Sequence, residues 1–159
     1  MPHTNEKVCM TVGVCLIRDG KALLVYHPKY ERWLSIGGHM EPGEDPTETL
    51  YREIYEEAGF TRDEVELIGT DIDRRVPADD GVSLPPPVYL DRHPAGDREH
   101  FGLIYFARVL TDRDAILSDE HGKIQWFTAD ELKNHHVSEG KLWDRMAWYN
   151  REAIRRSAE

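Results

Sequence analysis

The chain has 159 residues and a mass of 18.4 kDa, which is enough to bury a core in a single domain. Thirty acidic residues outnumber the twenty lysines and arginines, and the formal net charge is −10 at pH 7. This charge excludes a general binder of nucleic-acid polymers or of anionic membranes. A polyphosphate can still bind locally if metal ions or a few arginines neutralise it.

The sequence shows no signal for export or for membrane insertion. The opening residues, MPHTNEKV, lack an apolar stretch, and no window has the roughly 18 apolar residues that a transmembrane helix needs. Cys9 and Cys15 lie in one predicted strand, where six residues span about 20 Å. That distance is too long for a disulfide between them. Two unpaired thiols favour a cytoplasmic location.

The first predicted elements are strands. Two apolar runs, 8–17 and 21–26, are joined by Arg18-Asp19-Gly20, and this pattern predicts a β-hairpin with an Asp-Gly turn. A short strand over 33–36 is then predicted to lead into a glycine-rich loop that ends near Glu44.

The most clearly marked helix follows this loop. Asp45 is predicted as its N-cap, Pro46 as its first residue and Glu48 as the partner of Asp45 in a capping box. Gly59 occupies the position of a glycine that ends a helix. The helix is therefore predicted to run from Pro46 to about residue 58.

The second half of the chain continues to alternate between strands and helices. Its predicted elements are a strand over 65–70, a surface loop or lid over 71–98, strands over 101–109 and 124–127, a short helix from Thr128, and a final helix from about Ser138. The final helix has apolar residues spaced as on one buried face, at Leu142, Met146, Tyr149 and Ala153. Strands interleaved with helices indicate an α/β or α+β fold with a mixed sheet covered on both faces.

Three carboxylates share one side of the predicted helix. At 100° per residue, Glu53, Glu56 and Glu57 fall within an arc of roughly 100°. Such close like charges repel, and a hard divalent cation with oxygen ligands, Mg²⁺ above all, would relieve the repulsion. Salt bridges within the helix do not explain the cluster, because no lysine occurs between positions 29 and 123. A zinc site is not expected, since no cysteine and histidine set lies nearby in the sequence.

Residues 38–60 resemble the 23-residue box of the Nudix hydrolases, the MutT-like pyrophosphohydrolases. The box has the pattern G, five residues, E, seven residues, R-E-aliphatic-x-E-E-x-G-hydrophobic. Its defined positions are filled without a departure by Gly38, Glu44, Arg52, Glu53, Ile54, Glu56, Glu57, Gly59 and Phe60. The resemblance implies a single Nudix domain over residues 1–159, folded as an α/β/α sandwich with a mixed β-sheet.

The resemblance also implies roles for the charged residues of the box and for its first glycines. Glu53, Glu56 and Glu57 would bind one to three Mg²⁺ or Mn²⁺ ions, and the backbone carbonyl of Gly37 or Gly38 would be a further ligand. Arg52 and Glu44 would form an ion pair that orients the helix carboxylates.

The reaction implied is hydrolysis of a nucleoside diphosphate linked to another moiety, such as a nucleoside triphosphate, a dinucleoside polyphosphate or a nucleotide sugar. Water would attack phosphorus, with Glu53 as the first candidate for general base. Glu120 resembles a carboxylate that some members of the family add from a late loop. It would be a further metal ligand and the second candidate for the base, although a solvated loop acid is an equal reading of Glu120.

Other functions and residues remain open at this point. A nucleotide-sensing Nudix-like module would be expected to lose carboxylates that this chain keeps, and an isomerase of the same fold would need a cysteine and histidines near the site. His93 and His100 are interpreted as surface histidines, with substrate contact as the alternative. Trp143 and Trp148 are interpreted as packing or homodimer contacts.

Overall fold

The computed structural model describes residues 8–159, in which eight strands form one mixed sheet with helices on both of its faces. The strands are β1 (Val8–Arg18), β2 (Lys21–His27), β3 (Arg32–Leu34), β4 (Ile36–His39), β5 (Val65–Ile68), β6 (Tyr89–Ala95), β7 (Arg98–Val109) and β8 (Lys123–Thr128). The helices are α1 (Pro46–Ala58), α2 (Ala129–Lys133) and α3 (Asp144–Ser157). The expected α/β/α sandwich with a mixed sheet is confirmed.

Strand β1 lies at the centre of the sheet and determines where a cleft forms. One edge of β1 pairs in parallel with β7 along residues 8–17. The other edge is shared, because β4 pairs with residues 11–14 and β2 with residues 16–18. The two partners of that edge therefore diverge, and a cavity opens where β4 separates from β2 and β3.

Local sequence signals explain the first hairpin and the long helix. Asp19 and Gly20 both have positive φ, 51° and 72°, as a two-residue hairpin turn requires. Asp45 accepts hydrogen bonds from the first turn of α1, and the Glu48 side chain completes the capping box. Gly59 ends α1 in the left-handed conformation, at φ 72°.

Two loops predicted from the sequence need correction. Gly37 and Gly38 belong to β4 and not to a loop, since both pair with β1. Glycine is needed at position 37 because the two backbones lie close together: a Cβ there would be 2.3 Å from the carbonyl oxygen of Val12. The predicted loop over 71–98 is also partly wrong. Its residues Tyr89–Ala95 form β6, which pairs with β7 as an edge strand that tolerates Pro94 near its end.

The final helix begins six residues later than the sequence pattern indicated, at Asp144 instead of Ser138. The reason is a contact with β3, since the amide of Trp33 donates to Lys141 and the amide of Lys141 donates to Glu31. This pairing keeps the chain extended before α3. The predicted burial is confirmed: Leu142, just before the helix, and Tyr149 and Ala153 within it are buried, and Met146 packs against them.

Two apolar layers hold α1 and α3 against the sheet. Leu50, Ile54 and Ala58 of α1 pack on one face of β1, while Ala147 and Ala153 of α3 pack on the other. Burial of these side chains stabilises both helices in place. Within residues 8–159, none of the helices is long and apolar enough to cross a membrane.

Candidate functional site

A cavity of about 820 Å³ lies where β4, α1 and the start of α3 meet. Most of the site residues predicted from the sequence line this cavity: Gly37, Gly38, Arg52, Glu53, Glu56, Glu57 and Glu120. Glu44 does not line the cavity but forms an ion pair with Arg52, which does. The volume lies in the range of natural ligand pockets.

The ion pair between Arg52 and Glu44 is bidentate. Arg52 Nε donates to Glu44 Oε1 at 2.6 Å, and Nη2 donates to Oε2 at 3.0 Å. The Thr49 hydroxyl donates to the same carboxylate at 2.7 Å. The hydrogen bonds from Arg52, followed by that from Thr49, lower the pKa of Glu44 to about 2. Glu44 is therefore a permanent anion that fixes the orientation of the guanidinium.

The remaining donors of Arg52 hold the helix carboxylates and the adjoining strand. Nη1 donates to Glu53 at 2.9 Å and to Glu56 at 3.1 Å, and Nη2 donates to the backbone carbonyl of His39 at 3.1 Å. One guanidinium thus ties the loop acid Glu44, the helix and β4 together. This arrangement explains why an arginine suits the position, since its donors are arranged in a rigid fork.

Two of the carboxylates are buried at the cavity wall. Burial raises the pKa of Glu53. It also raises the pKa of Glu57 to about 8, and the negative charges of Glu53 and Glu120 add to the effect. The amide of Gly37 donates to Glu57 at 3.1 Å and opposes this shift. A cation bound among these buried acids would stabilise their ionised forms.

The donor set fits a hard divalent cation. Its carboxylates supply oxygen ligands, and Gly38 leaves room for one of them, because a Cβ at this position would lie 2.1 Å from Glu53 Oε1. Among the described residues, no three carboxylates bring their oxygens within 4.8 Å of one another. Different donors hold these carboxylates, since Glu53 and Glu56 accept hydrogen bonds from Arg52 whereas Glu57 accepts one from the Gly37 amide.

The loop before β8 contributes two further residues to the same wall. Glu120 is exposed to the cavity, and its negative charge contributes to the raised pKa of Glu57 and of Glu53. The neighbouring His121 is buried, with Nε2 3.8 Å from Glu57 Oε1 and Nδ1 2.9 Å from the Ser118 hydroxyl. Sequence reasoning missed His121, although its place next to Glu120 was a usable signal.

The opposite wall comes from the β6–β7 hairpin and from α3. His93 and His100 pair across this hairpin and both line the cavity, which favours substrate contact over a plain surface position. Asp91 has a buried side chain, which accepts a hydrogen bond from the Tyr149 hydroxyl at 2.7 Å and lies 2.9 Å from Nδ1 of His93. Asp91 could not be found from the sequence because β6 was not expected.

A cysteine and two histidines also meet beside the box. The ligand atoms of Cys9, His39 and His100 all lie within 4.8 Å of one another. The sequence argument against zinc, that such residues are not neighbours along the chain, therefore fails in three dimensions. The similar argument against an isomerase loses its force for the same reason.

Comparison with known proteins places these observations in a family. A family model described as NUDIX domain matches residues 8–148. Diphosphoinositol polyphosphate phosphohydrolase 3-alpha of Mus musculus is 49% identical over 43 residues, which are 26% of this chain and 26% of that protein. The RNA pyrophosphohydrolase of Pseudomonas putida strain F1 is 38% identical over 58 residues, which are 36% of each protein. The chain thus spans between a quarter and two fifths of the length of these relatives.

Solved structures resemble the chain over nearly its whole length. A hydrolase of the NUDIX family from Clostridium perfringens has a TM-score of 0.81 and 25% identity, and the match covers 96% of this chain and 98% of that one. An Ap4A hydrolase from C. elegans has a TM-score of 0.63 and 19% identity, covers 94% and 95% of the two chains, and shows the fold alone. Since the family model extends over most of the sequence and the box is complete, the chain belongs to the NUDIX domain family.

Proposed function

We propose that the protein hydrolyses a pyrophosphate bond in a nucleoside diphosphate linked to another moiety, with Mg²⁺ or Mn²⁺ as the metal. The observation that carries this proposal is the complete set of box carboxylates, organised by Arg52 at the wall of a cavity of ligand size. A polyphosphate and these carboxylates repel each other, so a cation is needed between them. The intact box favours hydrolysis over the isomerase and over a sensing module.

Glu53, Glu56 and Glu57 would hold the metal, with Glu120 and a backbone carbonyl of Gly37 or Gly38 as further ligands. A bound divalent ion supplies positive charge that lowers the pKa of a water and stabilises negative charge on a phosphoryl group. Arg52 and Glu44 position the helix carboxylates and do not touch the reacting atoms in this scheme. Their role is orientation, as for groups that hold metal ligands from behind.

Glu53 is the first candidate for the base that takes the proton from the attacking water. One of its oxygens accepts a hydrogen bond from Arg52 at 2.9 Å, which fixes the orientation of the carboxylate. Burial raises the pKa of Glu53 in the metal-free protein. Glu120, which is exposed to the cavity, is the second candidate.

A nucleotide-type substrate suits the exposed aromatic rings that line the cavity. Tyr30 and Trp143 line it and are 52% and 47% exposed, and the guanidinium of Arg32 lies 3.9 Å from the centre of the Trp143 ring. Exposed aromatic rings of this kind can stack on a nucleobase. The names of the relatives mention a diphosphoinositol polyphosphate, a pyrophosphate group on RNA, and Ap4A, all of which contain phosphoanhydride bonds. We infer no contact with a nucleic-acid polymer for this chain because of its charge of −10.

The test is release of phosphate and nucleotide from a panel of nucleoside triphosphates, oxidised nucleotides, dinucleoside polyphosphates, ADP-ribose and NADH, with Mg²⁺, with Mn²⁺ and with EDTA. We expect cleavage of one class that EDTA abolishes. Glu53→Gln and Glu57→Gln should each reduce kcat by about 100-fold or more, while the matched control Glu66→Gln, exposed on β5 outside the cavity, should retain turnover. Binding without turnover of any substrate would favour the sensing module instead.

A further inference from the structure

A second group of potential metal ligands lies across three neighbouring strands. In the register of the sheet, Cys9 of β1 faces His100 of β7, and Thr11 of β1 faces His39 of β4. Cys9 and Thr11 point to the same side because side chains alternate along a strand. Cys9, His39 and His100 therefore project from one face of the sheet.

The distances within this group match a single small ion. The Nε2 atoms of His39 and His100 are 3.1 Å apart. One ring nitrogen of each histidine and Cys9 Sγ all lie within 4.8 Å of one another. Two imidazole nitrogens bound to a tetrahedral ion at about 2.0–2.1 Å are separated by about 3.3 Å. The observed separation needs almost no change, and only a small movement of the thiol is required.

A direct hydrogen bond between His39 and His100 is the simpler reading of the 3.1 Å distance. It accounts for two of the three residues but not for the approach of the sulfur to the same point. Cys9 Sγ also lies 3.8 Å from Nη1 of Arg98, a weak contact to a poor acceptor that an ion can replace. His93 stays outside the group, with its Nδ1 2.9 Å from Asp91.

We propose that Cys9, His39 and His100 bind Zn²⁺ at the wall of the cavity, as a site separate from the carboxylates. One thiolate and two imidazoles select zinc over Mg²⁺, whereas the oxygen ligands of the box select the harder ion. Three protein ligands leave a fourth position for water or for an anionic ligand, as in zinc sites that are not closed.

The two sites are joined by a short stretch of β4. The backbone carbonyl of His39 accepts a hydrogen bond from Arg52, while its side chain belongs to the zinc group. Both histidines line the cavity that contains the carboxylates. A zinc ion here would place positive charge beside the box, where it can hold a second anionic group of a ligand.

The test is a titration of metal-stripped protein with Co²⁺ in the presence of excess Mg²⁺, which occupies the oxygen sites. We expect one Co²⁺ per chain, with a thiolate-to-cobalt charge-transfer band in the near ultraviolet and the strong visible bands of tetrahedral Co²⁺. Zn²⁺ should remove these bands by displacement. This readout does not depend on turnover, so failure of the proposed hydrolysis would leave it intact.

Variants decide which residues hold the ion. Cys9→Ser should abolish the charge-transfer band, and His100→Gln should weaken Co²⁺ binding by more than about tenfold. Cys15→Ser is the matched control, because this cysteine is buried outside the group and should keep the band. Absence of the band in wild-type protein, or its survival in Cys9→Ser, would overturn the proposal. If Cys9→Ser does not fold, unchanged Co²⁺ affinity in His100→Gln would overturn it equally.

Discussion

Glu57 makes the stability of the metal-free protein depend on pH. Burial and nearby carboxylates raise its pKa from an ordinary value of 4.5 to about 8. The folded state therefore holds this proton more tightly than the unfolded chain. The stabilisation is fully present below about pH 4.5 and is lost as the pH rises through about 8.

The size of this effect follows from the difference between the two pKa values. At about 1.4 kcal/mol per unit, a difference of about 3.5 units corresponds to about 5 kcal/mol. Water entry and side-chain movement relieve part of the cost of a buried charge, and we expect a loss of about 2–4 kcal/mol. Glu57→Gln keeps the shape and an acceptor for the Gly37 amide but carries no charge. It should therefore match wild type near pH 5 and be more stable by about 2–4 kcal/mol near pH 9.

The assay is urea unfolding in EDTA at about pH 5, 7 and 9, followed by tryptophan fluorescence. An ion that binds only the folded state stabilises it. Added Mg²⁺ or Mn²⁺ should therefore raise the stability of wild type near pH 9. It should raise that of Glu57→Gln much less, because the variant lacks one of the carboxylates that bind the ion. Glu56→Gln is the matched control, since its carboxylate is 54% exposed. An equal difference between wild type and Glu57→Gln at every pH would refute the reasoning.

Three further predictions concern single positions. Gly38→Ala would place a methyl group 2.1 Å from Glu53 Oε1 and displace that carboxylate. We therefore expect kcat in the hydrolysis assay to fall by about 100-fold, and a normal kcat would contradict this. Gly59→Ala should lower the free energy of unfolding by about 1–3 kcal/mol in urea, because φ is 72° there, and no loss would show that the cap is not strained. Hydrogen bonds from Arg113 lower the pKa of Glu64 to about 2, so its contribution is present above pH 4.5 and is lost as the pH falls through about 2. Glu64→Gln should thus flatten the dependence of Tm on pH in the acid range, and an unchanged slope would count against this ion pair.

The location and the assembly of the protein remain predictions. Cys9 and Cys15 are both free in the structure, and the cytoplasmic location stays the prediction made from the sequence. Trp143 and Trp148 are 47% and 44% exposed, so packing does not bury them fully. Sedimentation of the protein and of Trp148→Ala would decide between a packing role and a homodimer contact for this residue.

Local interactions explain what the sequence by itself determined. The hairpin turn at Asp19-Gly20 and the caps of α1 depend on residues within four positions of one another, so their signals are readable along the chain. The carboxylate arc of α1 is equally local, because the period of a helix places side chains at known angles. The ion pair between Arg52 and Glu44 was also predictable, because the two residues have a fixed spacing in the box.

The tertiary structure alone decided which distant residues share the cavity. Asp91, His93 and His100 reach it because β6 pairs with β7, and the sequence of that segment was too charged and proline-rich to indicate a strand. Cys9 meets His39 and His100 only through the register of β1 with β4 and β7. Strand register joins residues far apart along the chain, and no local spacing encodes it.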